Sequence, residues 1–263
     1  MDLGLKDKVA VVAAASQGLG FAVAEELAAE GAHVAICSRD ARRIEAAAKQ
    51  IAKRTGAQVL GVVADVTQAA EVDRFVKMAA ERWGAVHIAV ANASGPPAKE
   101  FDAISLEEWH KAVQLNLMSA VHLSRAVVPR MRKQKWGRLL FITSVSVKQP
   151  IEGLLLSNSI RSAVAGLAKS LANECARDNV LVNTVMPGYT RTERLEELAA
   201  TLSQQRGVSR EEIERGWISM TPLGRLGEPK ELAALVAFLA SERASFITGT
   251  STAVDGGRVK SLL

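Results

Sequence analysis

The chain has 263 residues, 48% of them hydrophobic and 23% charged, with a formal net charge of +5 at pH 7. That length and apolar content can bury a large core in one domain without disulfide or metal staples. No apolar run is long enough to span a bilayer, and the opening "MDLGLKDKVAVV" has no charged leader followed by an apolar block and cleavage site, so a soluble, cytoplasmic protein without a membrane partner is expected.

Along the chain, the apolar runs "KVAVVAA", "HVAICS", "QVLGVVAD", "VHIAVAN", "RLLFITS" and "VLVNTVMP" alternate with helical patterns. Strands covered on both faces read as continuous Val/Ile/Leu, so this order predicts βαβ units. The fold class is α/β, a single-domain doubly wound parallel sheet of the Rossmann type over 1–263, with helices on both faces. After the first strand stands "AAASQGLG", opening a helix. Gly18 and Gly20 allow close approach of backbone to a phosphate at that helix's N-terminus, where free N–H groups and the dipole favour an anion.

Cys37 and Cys175 each sit beside apolar residues and read as buried thiols rather than a disulfide. His33, His87, His110 and His122 are scattered singly, without metal-ligand spacing. The densest basic run, "RMRKQKWGR" (130–138), falls between a helix and a strand with no aromatic platform or recognition helix. It reads as a solvated turn, and no nucleic-acid partner is expected. Residues 154–174, "LLLSNSIRSAVAGLAKSLANE", place Ile160, Val164, Leu167, Ala168 and Leu171 on one helical face, with a polar cluster in the first turns. Residues 190–229 are too long for an ordinary connection and too helical for a linker. Ser209 and Glu212 have capping-box spacing, and Leu195, Leu198 and Leu202 form a stripe, so a helical lid beside the strand ends is expected.

On "AAASQGLG", "ADVT", "ANAS" and the ending "TPLGRLGEPKELAALVAFLASERASFITGTSTAVDGG", the chain resembles the short-chain dehydrogenase/reductase family over nearly its whole length, and its 3-oxoacyl-acyl-carrier-protein reductase branch in particular. The family pattern Thr-Gly-x-x-x-Gly-x-Gly appears as Ala13-Ala14-Ala15-Ser16-Gln17-Gly18-Leu19-Gly20. A methyl group at Ala14 is expected to remove the freedom to use positive φ there. The resemblance implies that Ser16 to Gly20 hold a pyrophosphate, that Asp65 and Val66 meet adenine, that Asn92 and Ala93 line the nucleotide site, and that Pro187, Gly188 and Thr192 pass the nicotinamide. After the second strand comes "CSRDARR" rather than an acidic residue. A carboxylate there would bond the ribose hydroxyls of NAD, whereas Ser38 and Arg39 can grip a 2′-phosphate, so NADP(H) is favoured over NAD(H). The alternative is that Arg39, Arg42 and Arg43 are merely solvated.

The family's usual chemistry uses Asn, Ser, Tyr and Lys: a proton donor and an oxyanion-stabilising donor meet at a carbonyl while the cofactor provides hydride. Asn116 in "VQLNLMSAVHL" matches the Asn position, and Ser144 in "RLLFITSVSV" the Ser position. The Tyr position falls on Ser157 and the Lys position on Arg161, so the Tyr-x-x-x-Lys pair has become "SNSIR". A serine hydroxyl is shorter and far less acidic than a phenol, and a guanidinium does not shuttle protons near neutrality. The bland alternative makes Ser157 a helix cap with no proton transfer at all. Lys148 and Tyr189 are further candidates for an acid. Three readings stand: an NADP(H)-dependent oxidoreductase for a small carbonyl or alcohol substrate with an atypical site, a nucleotide-binding protein without redox activity, and a non-redox lyase or dehalogenase-like relative. A homotetramer is expected from apolar and small residues on more than one face of the helices holding Asn116 and Ser157.

Overall fold

Each apolar run becomes a strand because its alternate side chains find a helix layer on both faces. The computed structural model describes residues 2–262. Strand β1 (Val9–Val12) leads into helix α1 (Gly18–Ala29), β2 (His33–Ser38), α2 (Ala41–Thr55), β3 (Val59–Val63), α3 (Ala69–Trp83) and β4 (Ile88–Ala91). The second half runs through α4 (Leu106–Ala112), α5 (Ser119–Lys133), β5 (Gly137–Ile142), α6 (Leu155–Cys175) and β6 (Val180–Pro187). It closes with α7 (Glu193–Arg206), α8 (Arg210–Ser219), α9 (Pro229–Ala240) and β7 (Ser251–Val254).

The strands form one parallel sheet in the order β3-β2-β1-β4-β5-β6-β7, with Ala10 opposite Ile88 and Val11 opposite Ala35 in the register around β1. Ala10, Val12, Ile36, Val90 and Leu140 point into the layer of α1, α2 and α9; Val11, Ala35, Ala89 and Phe141 point into that of α3, α5 and α6. Chain order reverses between β1 and β4, so the loops leaving those strands part and open a crevice at the sheet's carboxyl edge. Helices α7 and α8 bring Leu198, Leu202, Ile213 and Trp217 into a separate apolar cluster with Tyr189 and Leu154 beside that edge. Among the described residues, no helix is long and apolar enough to cross a membrane.

Three features depart from the sequence reading. Strand β7 was not singled out, because its "STAV" is short, hydroxyl-rich and only half-buried. The basic run 130–138 is not all solvated: Arg138 is fully buried in β5, stacked 4.2 Å over the Trp136 ring, with Glu242 3.5 Å away. Between α4 and α5 the helix widens into a π-helical turn, Val113–Met118, which carries Asn116 inward.

Cys37 and Cys175 are free and buried. Burial pushes the Cys37 thiol up to about 12 from an ordinary 9.0. The unfolded chain therefore loses this proton first as pH rises, so Cys37's contribution to stability is intact below about pH 9 and declines toward 12, by about 1.4 kcal/mol per pH unit at most. Denaturant unfolding between pH 8 and 10.5 should show that extra decline in the native chain and lose it in Cys37→Ala.

Candidate active site

The floor of the crevice is the turn after β1. Ala13 N donates to Val90 O on β4 (3.0 Å) and Ala15 N to Cys37 O on β2 (3.0 Å), tying the turn to both neighbouring strands. The Asn92 side chain, at the end of β4, donates to Ala13 O (3.3 Å) and Ala14 O (3.1 Å). Held so, Ala14 adopts φ +48°, the left-handed conformation it was expected to be denied. Hydrogen bonds on both sides of the residue overrule the local preference. Gly18 is at φ +60°, and a Cβ on Gly20 would lie 2.6 Å from Ala14 O and 2.7 Å from Asn92 Nδ2. No side chain caps α1 at Gln17, which leaves its first N–H groups available to an anion.

Above this floor lies a cleft of about 890 Å³. Ser16, Gln17, Gly18 and Leu19 line one end, with Ser38 and Arg39 from the end of β2 and Asp65 and Val66 after β3. Arg43 adds a second guanidinium, whose Nη1 donates to Gln17 Oε1 (3.0 Å) and so links the basic corner to the glycine turn. Asp65 is held by a local turn, its Oδ1 accepting from Thr67 N (2.9 Å) and Thr67 Oγ1 (2.8 Å). The middle carries Asn92, Ala93, Pro187, Gly188 and Thr192, the last also capping α7 through Leu195 N. Gly20 stands behind the wall, where its missing side chain permits the close packing of α1. An uncapped helix end, a glycine cradle and two guanidiniums beside Ser38 form a donor set that fits a dinucleotide carrying an additional phosphate.

Ser144, Ser157 and Arg161 share the far part of the same cleft. Ser144 Oγ accepts from Ser146 N (3.1 Å), an orientation that leaves its hydroxyl proton to be donated elsewhere. Ser157 is buried in the first turns of α6 and is not a cap: the helix begins at Leu155, with Leu154 before it. The capping alternative therefore falls. Arg161 donates through Nη1 to Ile142 O (3.2 Å). Part of its surface faces the cleft, yet protein surrounds the guanidinium deeply. Desolvation, with the charge of Arg194 second, lowers its pKa to about 10, so it stays cationic at neutral pH.

Asn116 does not reach the main cleft. Its Nδ2 donates to Ser94 O (2.8 Å), while Oδ1 is buried without a partner beside a cavity of about 20 Å³ that Thr143 and Arg161 also line. Lys148 is exposed and lies outside the cleft wall, which removes it as a candidate acid. Tyr189 lines the cleft, stacked on Trp217 with ring centroids 4.9 Å apart, and its hydroxyl accepts from Arg258 Nη2 (3.1 Å). The sequence reading missed Arg194 and Arg258 as wall residues. Arg194 lies two residues past Thr192, in the segment read as a lid, and Arg258 follows β7, the strand that the sequence did not single out.

The family model described as "Enoyl-(Acyl carrier protein) reductase" matches residues 13–258. The rabbit (Oryctolagus cuniculus) protein "Dehydrogenase/reductase SDR family member 4" is 35% identical over 255 residues, 96% of this chain and 94% of the relative. A 3-oxoacyl-[acyl-carrier-protein] reductase of Aquifex aeolicus is 34% identical over 257 residues, 98% of this chain and 99% of the relative. The crystal structure of L-sorbose reductase from Gluconobacter frateurii, complexed with NADPH and L-sorbose, superposes with a TM-score of 0.94 at 33% identity, covering 100% of both chains. The chain belongs to the short-chain dehydrogenase/reductase family and is of the 3-oxoacyl-acyl-carrier-protein reductase type.

Left-handed backbone costs an L-residue about 1–2 kcal/mol, while glycine loses about 0.5–1 kcal/mol of additional chain entropy on folding. Strain outweighs entropy at this turn. Ala14→Gly should therefore stabilise the protein by about 0.5–1 kcal/mol in urea unfolding.

Proposed function

We propose that this protein is an NADP(H)-dependent oxidoreductase that interconverts a carbonyl and an alcohol on a small molecule, through a site in which Ser157 and Arg161 stand in the places of a phenol and an ammonium. The observation that carries this reading is that Gly18, Ser38, Arg39, Ser144, Ser157 and Arg161 line one continuous cleft. A nicotinamide dinucleotide supplies the hydride when bound. The turn from Ser16 to Gly20 holds its pyrophosphate, Ser38, Arg39 and Arg43 grip the 2′-phosphate, and Asp65 and Val66 border the adenine. Asn92 acts mainly by fixing the turn beneath Ala93, while Pro187, Gly188 and Thr192 form the wall on the opposite side. Helices α7 and α8 serve as the lid over 190–229.

At the reacting oxygen, Ser144 donates a hydrogen bond and Ser157 adds a second hydroxyl beside it. Arg161 contributes fixed positive charge that favours a developing oxyanion. None of the three is a good proton donor near neutrality, because a hydroxyl is too weak an acid and the guanidinium keeps its proton. Simple ketones are therefore reduced slowly. Asn116 positions the loop at Ser94 rather than touching substrate. A second reading, a nucleotide-binding protein without redox turnover, is favoured by the tether of Arg161 to Ile142 O, which commits part of that side chain to structure.

NADPH should bind at least about tenfold more tightly than NADH, and Arg39→Ala should weaken NADPH with little effect on NADH, since only one cofactor offers a phosphate to the guanidinium. Fluorescence titration of both cofactors measures this, and equal affinities would overturn the preference.

Single-turnover assays on a carbonyl panel test the chemistry. Ser157→Tyr combined with Arg161→Lys should raise ketone reduction, because Ser144 and the cofactor turn remain to support a phenolic acid. Fast native turnover of a simple ketone, abolished by Ser157→Ala, would show instead that the serine is the working group.

The assembly is a homotetramer. Supporting this are the small residues Ser162, Ala163, Gly166 and Ser170 exposed on α6, the open edge of β7 and the fully exposed Phe246 just before it. Light scattering should give four times the 28.0 kDa chain mass, and a monomer's mass at micromolar concentration would reject it.

A further inference from the structure

We propose that the substrate end of the cleft recognises a carboxylate, and that Arg258 is the residue that holds it. Arg258 follows β7 and is only 7% exposed, in the wall where the main cleft meets a second cavity under α7 and α8. One of its donors is used: Nη2 bonds Tyr189 Oη at 3.1 Å, with the guanidinium carbon 4.6 Å from the centre of the tyrosine ring. Nε and Nη1 are buried and bond nothing. Among the described residues, no carboxylate lies within ion-pair distance of it. The nearest acidic residue in sequence, Asp255, is committed to its own loop, accepting from Gly257 N (2.9 Å) and Val259 N (2.7 Å). The second cavity holds Glu212, likewise committed to Ser209 N (2.9 Å), and Glu152, which makes no ion pair with Arg258.

A buried guanidinium with two idle donors is costly unless something satisfies it. Other arginines of this chain have a carboxylate at hand: the half-exposed Arg225 makes two bonds to Glu231, at 2.6 and 2.8 Å, and the buried Arg138, whose Nε is also unbonded, has Glu242 3.5 Å away. Arg258 instead keeps its donors for a planar acceptor, which its fork matches. The surroundings agree in sign. Arg161 and Arg194 line the same cleft close enough for the second to lower the pKa of the first, so an anion entering there meets a positive field. Ile151, Leu154, Leu195 and Leu198 add apolar wall, and the acidic Glu193 of the same cleft turns its carboxylate toward Gly18. That combination fits a short hydrocarbon carrying a carbonyl toward Ser144 and a carboxylate toward Arg258.

This inference rests on reading the far part of the cleft as the substrate site, so the test separates the two. A panel of medium-chain oxo acids, varied in the spacing between carbonyl and carboxylate, and their methyl esters would be measured twice: by calorimetric binding to the NADPH-loaded protein and by NADPH oxidation. The acids should bind at least about thirtyfold more tightly than their esters. Arg258→Gln should erase that preference with ester binding and NADPH affinity unchanged, and Arg258→Lys should keep part of it. Tyr189→Phe, which leaves the ring and the cation in place, controls for a folding defect. Acid binding that depends on Arg258 without any turnover would uphold the carboxylate site and remove the oxidoreductase reading. Acids and esters treated alike, or a loss of NADPH affinity in Arg258→Gln, would overturn the carboxylate site, whatever the turnover.

Discussion

A single side-chain amide, Nδ2 of Asn92, holds the two carbonyls on which the nucleotide end of this molecule is built. By bonding Ala13 O and Ala14 O it fixes the turn where the chain leaves β1, at the point where the sheet reverses its order. The consequence propagates outward. Ala14 is driven into a conformation that alanine disfavours, its carbonyl turns toward α1, and only a glycine at position 20 fits against that oxygen. With Gly20 seated, the start of α1 comes close to the ends of β1 and β4, and its uncapped N–H groups face the crevice. A short polar clamp thus leaves, at the carboxyl edge of a buried parallel sheet, a turn and a helix end whose free N–H groups suit an anion.

The other half of the cleft obeys a different constraint, the cost of positive charge in a desolvated wall. Arg161 and Arg258 are both set deep, and neither has a carboxylate at ion-pair distance among the described residues. In the interior such groups are normally neutralised by an acidic neighbour. A protein that keeps two of them along one cleft has traded stability for a strong field at a place accessible to ligand. The guanidinium of Arg161 is a permanent charge rather than a titrating one near neutrality.

Much of this organisation was legible in the chain itself, because the physics that builds a parallel sheet is local and repetitive. Val9–Val12, His33–Ser38 and Val180–Pro187 read as strands from composition alone, and site residues that end strands, such as Ser38, Asp65, Asn92 and Ser144, could be placed by counting. What escaped was set by tertiary contacts. The conformation of Ala14 is imposed by an amide 78 positions away, Arg138 is buried by a ring and a carboxylate that approach only after folding, and Arg258 reaches the cleft through the last strand. The polar start of α6 was visible as an anomaly. Its exclusion from capping became evident only once the helix was seen to begin at Leu155.

Strand β7 has a temporal consequence. It pairs with β6 through Thr184 opposite Ser251 and Pro187 opposite Val254, contacts between segments separated by three whole helices. A nascent chain emerging from the ribosome can assemble the first six strands and the glycine turn while this segment is still being made. Gly188 gains its packing against Asp255, and the Tyr189 hydroxyl its bond from Arg258, only then. The glycine-turn end of the cleft can therefore assemble before β7 is made, whereas the wall at Arg258 is completed only once β7 has paired with β6.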